Sequence, residues 1–202
     1  MDNFSFAKDK QLVIFELDDV LFPAKDYLLQ VYYLFAQFME YTEQKSAAAI
    51  LDFMRTEYEQ GGTEGLFVKT AAQFDLDEKY FHNFELLHQT ARLPLKLLLF
   101  QNMLDFLQEL VINRKKIVIV TDGNPEQQLN KIKQTEWNGL EQYLTVFFVQ
   151  ELGQSKSEVF QKVLTDNDLS KDQCLVVGAN NFDAEQSKLI NLPYIDSLEI
   201  YK

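Results

Sequence analysis

The 202-residue chain contains one cysteine, two histidines, four prolines and seven glycines, and only 19 basic residues against 31 acidic ones. Each shortage excludes something. A lone Cys174 permits no internal disulfide and no thiolate metal cage. So few prolines and glycines leave little room for long flexible linkers. The net charge of −12 argues against a nucleic-acid backbone or an anionic membrane surface as partner, because both require excess Lys and Arg. No apolar run approaches the roughly 18 residues of a membrane-spanning helix. The opening stretch, Met1-Asp2-Asn3-Phe4-Ser5-Phe6, has an acid near its start and no long apolar region, so no signal peptide is expected. The expectation is a soluble, cytoplasmic protein.

What is present is ordinary globular material: 47% hydrophobic and 25% charged residues, enough to bury a real core. At roughly 150 residues per domain, the length fits one domain with a sizeable insertion, or two small ones. Short apolar runs at Leu12-Val13-Ile14-Phe15, Ile117–Val120, Val146–Val149 and Cys174–Gly178 read as buried strands, with Pro193-Tyr194-Ile195 as a short fifth. Continuous β-branched runs without polar alternation suit a parallel sheet covered on both faces. The intervening segments have helical patterns. Asn102–Leu110 places Met103, Leu104, Phe106, Leu107 and Leu110 together, Glu126–Lys133 precedes the third strand, and Ser155-Lys156-Ser157-Glu158 has capping-box spacing. Strand and helix alternate from about position 100 onward, which predicts a doubly wound α/β core.

The first strand stands apart, because about a hundred residues separate it from the second, too many for one crossover helix. Positions 24–94 are helical in pattern and aromatic-rich, with Tyr27, Tyr32, Tyr33, Phe35, Phe38 and Tyr41 close together. Gly61-Gly62-Thr63-Glu64-Gly65 breaks the stretch. The spacing predicts a helical insertion, 24–94, over a discontinuous core of 1–23 and 95–202, with the aromatics as helix core.

In an open α/β sheet, ligands bind beyond the carboxyl ends of the strands. The residues there are Glu16, Asp18 and Asp19 after the first strand, and Thr121, Asp122 and Gly123 after the second. Lys156 follows the third strand at the start of its helix; Ala179, Asn180, Asn181 and Asp183 follow the fourth. Carboxylates, a hydroxyl and an ammonium on one rim suit a Mg²⁺ and phosphate site.

Together these residues resemble the haloacid dehalogenase (HAD) superfamily, mostly phosphatases that pass through an aspartyl-phosphate. Phe15-Glu16-Leu17-Asp18-Asp19-Val20-Leu21-Phe22 is similar to the family's first motif, D-x-D-x-[TV]-L. Val120-Thr121-Asp122-Gly123-Asn124 is similar to its second, and Lys156 falls at the lysine of its third. Val176-Val177-Gly178-Ala179-Asn180-Asn181-Phe182-Asp183 aligns with the fourth, G-D-x-x-x-D. The resemblance implies a HAD-like α/β fold with an inserted α-helical cap at 24–94. It implies Glu16 and Asp18 as catalytic residues, Thr121, Asp122, Gly123 and Lys156 as phosphate-binding, and Glu16, Asp18 and Asp183 as Mg²⁺ ligands.

Two positions depart from the pattern. The family's nucleophilic aspartate is Glu16 here, which shifts the carboxylate by one methylene, and a misplacement near 1 Å costs on the order of a hundredfold in rate. A metal-ligating aspartate is Ala179, leaving Asn180 or Asn181 as neutral substitutes. The implied Mg²⁺ is therefore expected to bind weakly or not at all. Two readings stay open: a HAD-like protein with phosphate-ester hydrolysis weakened or lost, acting as a binding or regulatory module, and an active hydrolase on a small phosphorylated metabolite. A metal-free dehalogenase also needs the missing aspartate. Elsewhere, His82 and His88 share no helix face and read as non-ligands, Cys174 as a core residue, Trp137 as packing, and Asp75, Asp77 and Glu78 as a solvated turn.

Overall fold

The computed structural model describes residues 4–201; Met1–Asn3 of the opening stretch lie outside the described residues. Five parallel strands form the sheet in the order β5-β3-β1-β6-β7, where β1 is Leu12–Phe15, β3 Lys116–Thr121, β5 Leu144–Phe148, β6 Cys174–Gly178 and β7 Tyr194–Asp196. The run at Leu12–Phe15 is thus central, paired with β3 through Leu12↔Lys116 and with β6 through Leu12↔Cys174. A two-stranded parallel pair, β2 (Leu97–Leu98) and β4 (Thr135–Glu136), lies apart from it.

Period-2 geometry sends alternate residues to opposite faces, and the buried residues sort accordingly. Val13, Phe15, Ile117, Ile119, Leu175 and Val177 face a cluster that includes Met103, Phe106, Leu107 and Leu110 of α5 (Gln101–Ile112). Leu12, Ile14, Val118, Val120, Cys174 and Val176 face the other, with Val159, Phe160, Val163 and Leu164 of α8 (Lys156–Asn167). Two buried faces explain why the strands read as continuous apolar runs. The expected third strand is displaced: β5 starts at Leu144, and Val149 opens the short helix α7 (Val149–Leu152). The shift follows from pairing, because β5 ends at Phe148, opposite the last β3 residue, Thr121.

Between β1 and β2 run four helices: α1 (Ala24–Glu43), α2 (Ala47–Gly61), α3 (Leu66–Phe74) and α4 (Phe81–Thr90). Ser46 caps α2 by accepting from the Ala49 N–H. Tyr27, Val31, Tyr32, Phe35, Ala36 and Met39 form the buried stripe of α1. Tyr33 and Tyr41 lie off that stripe, 41% and 89% exposed, so the aromatic run is only partly helix core. The apolar faces of these helices belong to the same cluster as Val13 and Phe15. Among the described residues, no helix is long and apolar enough to cross a membrane.

The remaining helices of the core are α6 (Pro125–Gln134) and α9 (Asn181–Leu189). The polar face of α6 bonds to the segment between β1 and β2. Asn130 Nδ2 donates to the Tyr27 hydroxyl at 3.1 Å and to the Ala91 carbonyl at 2.9 Å. The Leu93 N–H donates to Gln134 Oε1 at 2.7 Å, and the Tyr27 hydroxyl donates to the His88 carbonyl.

Phe106 is fully buried with ring centroids of Phe4, Phe6 and Phe15 at 4.7, 5.4 and 5.8 Å. Phe106→Ala is expected to cost about 3–5 kcal/mol, read as a lower urea midpoint with an unchanged slope.

Candidate functional site

Glu16 directly follows β1, and its N–H still donates to the Val177 carbonyl at 3.1 Å. That bond fixes the residue at the strand end. Its Oε1 accepts from the Leu17 N–H at 2.8 Å, and its Oε2 accepts from Lys156 Nζ. Lys156 is the first residue of α8, delivered there by Ser155. The Ser155 side chain accepts from the Glu158 N–H while Glu158 accepts from the Ser155 N–H, so the expected capping box is formed in both directions. The same ammonium donates to Asp183 Oδ1 at 2.5 Å. Lys156 is only 3% exposed, Asp183 1% and Glu16 8%, so this carboxylate–ammonium–carboxylate triad is buried.

Asp183 lies in the first turn of α9, whose N-cap Asn180 accepts from the Asp183 N–H at 2.9 Å. Its second oxygen, Oδ2, has no hydrogen-bond partner and packs on Gly178. A Cβ at Gly178 would stand 2.8 Å from that oxygen and 2.9 Å from the Tyr194 ring. Glycine is therefore required here by close approach. Ala179 puts its methyl group against the main hydrophobic cluster.

Asp18 looks the other way. Its Oδ2 accepts from Lys131 Nζ at 2.6 Å and from Gln128 Nε2 at 3.1 Å, while Oδ1 is buried without a partner. Gln128 Nε2 also donates to the Asp122 carbonyl at 2.7 Å. Asp122 folds back so that its Oδ1 accepts from the Gly123 N–H at 2.7 Å, and Gly123 needs its glycine for a φ of +102°. Thr121, the last residue of β3, is buried with no hydrogen bond to its hydroxyl. The expected site residues thus fall into two groups: Glu16 and Asp183 around the Lys156 ammonium with Thr121 beside Glu16, and Asp18 with Asp122 and Gly123 around Gln128 and Lys131.

Gln128 and Lys131 were absent from the expected site. They lie three apart on α6, hence on one face, and both are buried. One signal was available. Pro125–Gln134 holds only two large apolar residues, Leu129 and Ile132, so a helix packed on this core must bury polar side chains. The other minor expectations resolve simply. Trp137 is buried and donates to the Ile132 carbonyl at 2.8 Å. Half-buried His88 meets the Phe84 ring edge-on with centroids 4.4 Å apart, and burial holds its pKa below the usual histidine value. Burial pushes the Cys174 thiol up to about 12, so it is no reactive thiolate.

Burial raises the pKa of Glu16, against the opposing effects of the Lys156 charge, the Leu17 N–H and the nearby Thr121 hydroxyl. Burial alone would lower Lys156, but the charges of Glu16 and Asp183 outweigh it and hold the ammonium above its usual value. Lys156 therefore stays charged, and Glu16 is a less available carboxylate than an exposed one.

Magnesium requires near-octahedral oxygen coordination. Of the six carboxylate oxygens on Glu16, Asp18 and Asp183, four accept from protein donors and one packs on Gly178. Only Asp18 Oδ1 is left. Asn180 Oδ1, a proposed neutral substitute, accepts from the Asp183 N–H. Among the described residues, no group of three or more His, Cys, Asp or Glu side chains is placed to hold a metal ion. So arranged, these residues do not fit Mg²⁺.

The sequence model of the family described as haloacid dehalogenase-like hydrolase matches residues 13–196. No curated protein sequence matches the chain. Solved structures with a similar fold include a hydrolase from Streptococcus pneumoniae TIGR4, at 14% identity and TM-score 0.53 over 93% of this chain and 92% of that one. A haloacid dehalogenase-like family hydrolase from Xanthomonas campestris is 17% identical, with a TM-score of 0.55 over 93% and 81%. The L-2-haloacid dehalogenase of Xanthobacter autotrophicus, solved with chloropropionic acid covalently bound, is 16% identical, with a TM-score of 0.54 over 92% and 76%. At such identities the likeness is one of fold.

The packing of Asp183 on Gly178 is directly testable. Gly178→Ala should cost about 1–3 kcal/mol and push Asp183 off Lys156. Urea denaturation reads the first effect and a crystal structure of the variant the second.

Proposed function

The chain belongs to the haloacid dehalogenase-like hydrolase family, and from that membership we propose that its Mg²⁺-dependent phosphate-ester hydrolysis is weakened or lost and that its strand-end site serves binding or regulation. In this reading the chain divides, as expected from the sequence, into a core of 1–23 and 95–202 and a helical cap of 24–94. One observation carries the reading. The ammonium of Lys156 is held by both Glu16 and Asp183, while Ala179 offers a methyl group where a third carboxylate would stand.

Three consequences support it. A carboxylate that accepts at both oxygens, one of them from an ammonium, has its lone pairs engaged and is a poorer nucleophile toward phosphorus. Asp18, the second expected catalytic residue, has one oxygen committed to two donors on α6. The N–H groups of Leu17 and Gly123, which would otherwise receive an anion, already donate to Glu16 and Asp122. A phosphate dianion arriving here would meet carboxylates whose counter-charges are already paired.

The reading of an active hydrolase on a small phosphorylated metabolite has its own support, because Glu16, Lys156 and Asp183 meet at the carboxyl ends of the strands, with Thr121 beside Glu16. Turnover separates the two. The wild-type chain is expected to leave p-nitrophenyl phosphate essentially unhydrolysed with or without Mg²⁺. Glu16→Asp combined with Ala179→Asp should raise Mg²⁺-dependent turnover by about a hundredfold, and each single change by much less, since nucleophile and metal act in one transition state. Brisk wild-type turnover abolished by Glu16→Gln would establish the active hydrolase instead.

A further inference from the structure

We propose that Lys131 is a positioning residue that, together with Lys156, supplies from within the fold the positive charge a divalent cation would bring to these strand ends, closing the site to metal. The inference rests on the reading that Glu16 and Ala179 disable the family's chemistry, and it adds the physical device that keeps a metal out.

Lys131 is a buried ammonium on α6. Such a group persists only where partners compensate its lost hydration. Asp18 Oδ2 lies 2.6 Å from it, and the Tyr27 ring lies beneath it with its centroid at 5.2 Å. The first contact is a charge-assisted hydrogen bond and the second a cation–π contact, which strengthens when water is excluded. Gln128, on the same face of α6, donates to the same oxygen of Asp18 and to the Asp122 carbonyl. Asp18 is therefore fixed in orientation from one side by two donors. Lys156 does the same for Glu16 and Asp183 from the opposite side of β1.

The three carboxylates thus already carry two ammonium groups. A divalent ion binding any one of them would sit beside the ammonium already paired with it, in surroundings where like charges repel more strongly than in water. With no carboxylate at position 179 to offset the two ammonium groups, admission of the ion requires at least one lysine to leave its ion pair. Lys131 would also leave its Tyr27 platform, which the His88 carbonyl and Asn130 hold in place.

The test is a Mn²⁺ and Mg²⁺ titration of the full chain, read by calorimetry and by the metal dependence of thermal unfolding. The variants are Lys131→Gln, Lys131→Arg and Lys131→Met/Lys156→Met. Wild type and Lys131→Arg are expected to show no saturable binding below about 10 mM. The double variant should bind Mn²⁺ at least about tenfold more tightly than wild type, and Lys131→Gln should gain metal-dependent thermal stabilisation. If the double variant does not fold, Lys131→Gln decides: stabilisation by Mn²⁺ supports the proposal and its absence overturns it. Tight wild-type metal binding with brisk phosphatase turnover would overturn both this inference and the proposed function. A wild type that is inert and refuses metal, with folded variants that gain none, would overturn this inference alone.

Discussion

A buried ammonium cannot stand alone, and the arrangement of the strand ends follows from where Lys156 finds its counter-charges. Those are Glu16, at the end of the central strand, and Asp183, in the first turn of α9. Each is held by independent backbone chemistry. Glu16 stays in the ladder through the Val177 carbonyl, and Asp183 sits under the Asn180 cap. Removing one member would leave an uncompensated charge in a closed space, at a cost of about 3–5 kcal/mol. The triad therefore couples β1, α8 and α9, and Gly178 is the backbone position that lets Asp183 come close enough.

The same logic recurs on α6 with a different consequence. Lys131 meets Asp18, and the residues flanking it on the helix meet the insertion: Asn130 binds Tyr27 and Ala91, and Gln134 binds Leu93. One polar helix face thus joins the site to the helices above it. Ligands of open α/β sheets bind at these strand ends; here Glu16, Asp18 and Asp183 are each already paired with a lysine of the chain.

The central strands were legible because Leu12–Phe15, Ile117–Val120 and Cys174–Gly178 are buried on both faces, and full burial leaves an unbroken apolar run. The capping box was legible because its two halves lie three residues apart. The β2–β4 pair was not, since two residues carry no period. Tyr33 and Tyr41 were read as core because nearness in sequence was taken for nearness on the helix; at 3.6 residues per turn they fall off the buried stripe. Lys131 was invisible for another reason. A lysine in a helix defaults to solvent, and what buries this one is a carboxylate 113 positions away. Glu16 and Ala179 could be flagged from the sequence, but the way their neighbours pair off could not.

The most direct measurement is a crystal structure of the wild-type chain grown with magnesium and inorganic phosphate. The account predicts the Lys156 ammonium between Glu16 and Asp183, Lys131 on Asp18, and no octahedral ion at the strand ends. An ion coordinated by Glu16 and Asp183, with Lys156 swung out onto a bound phosphate, would contradict it.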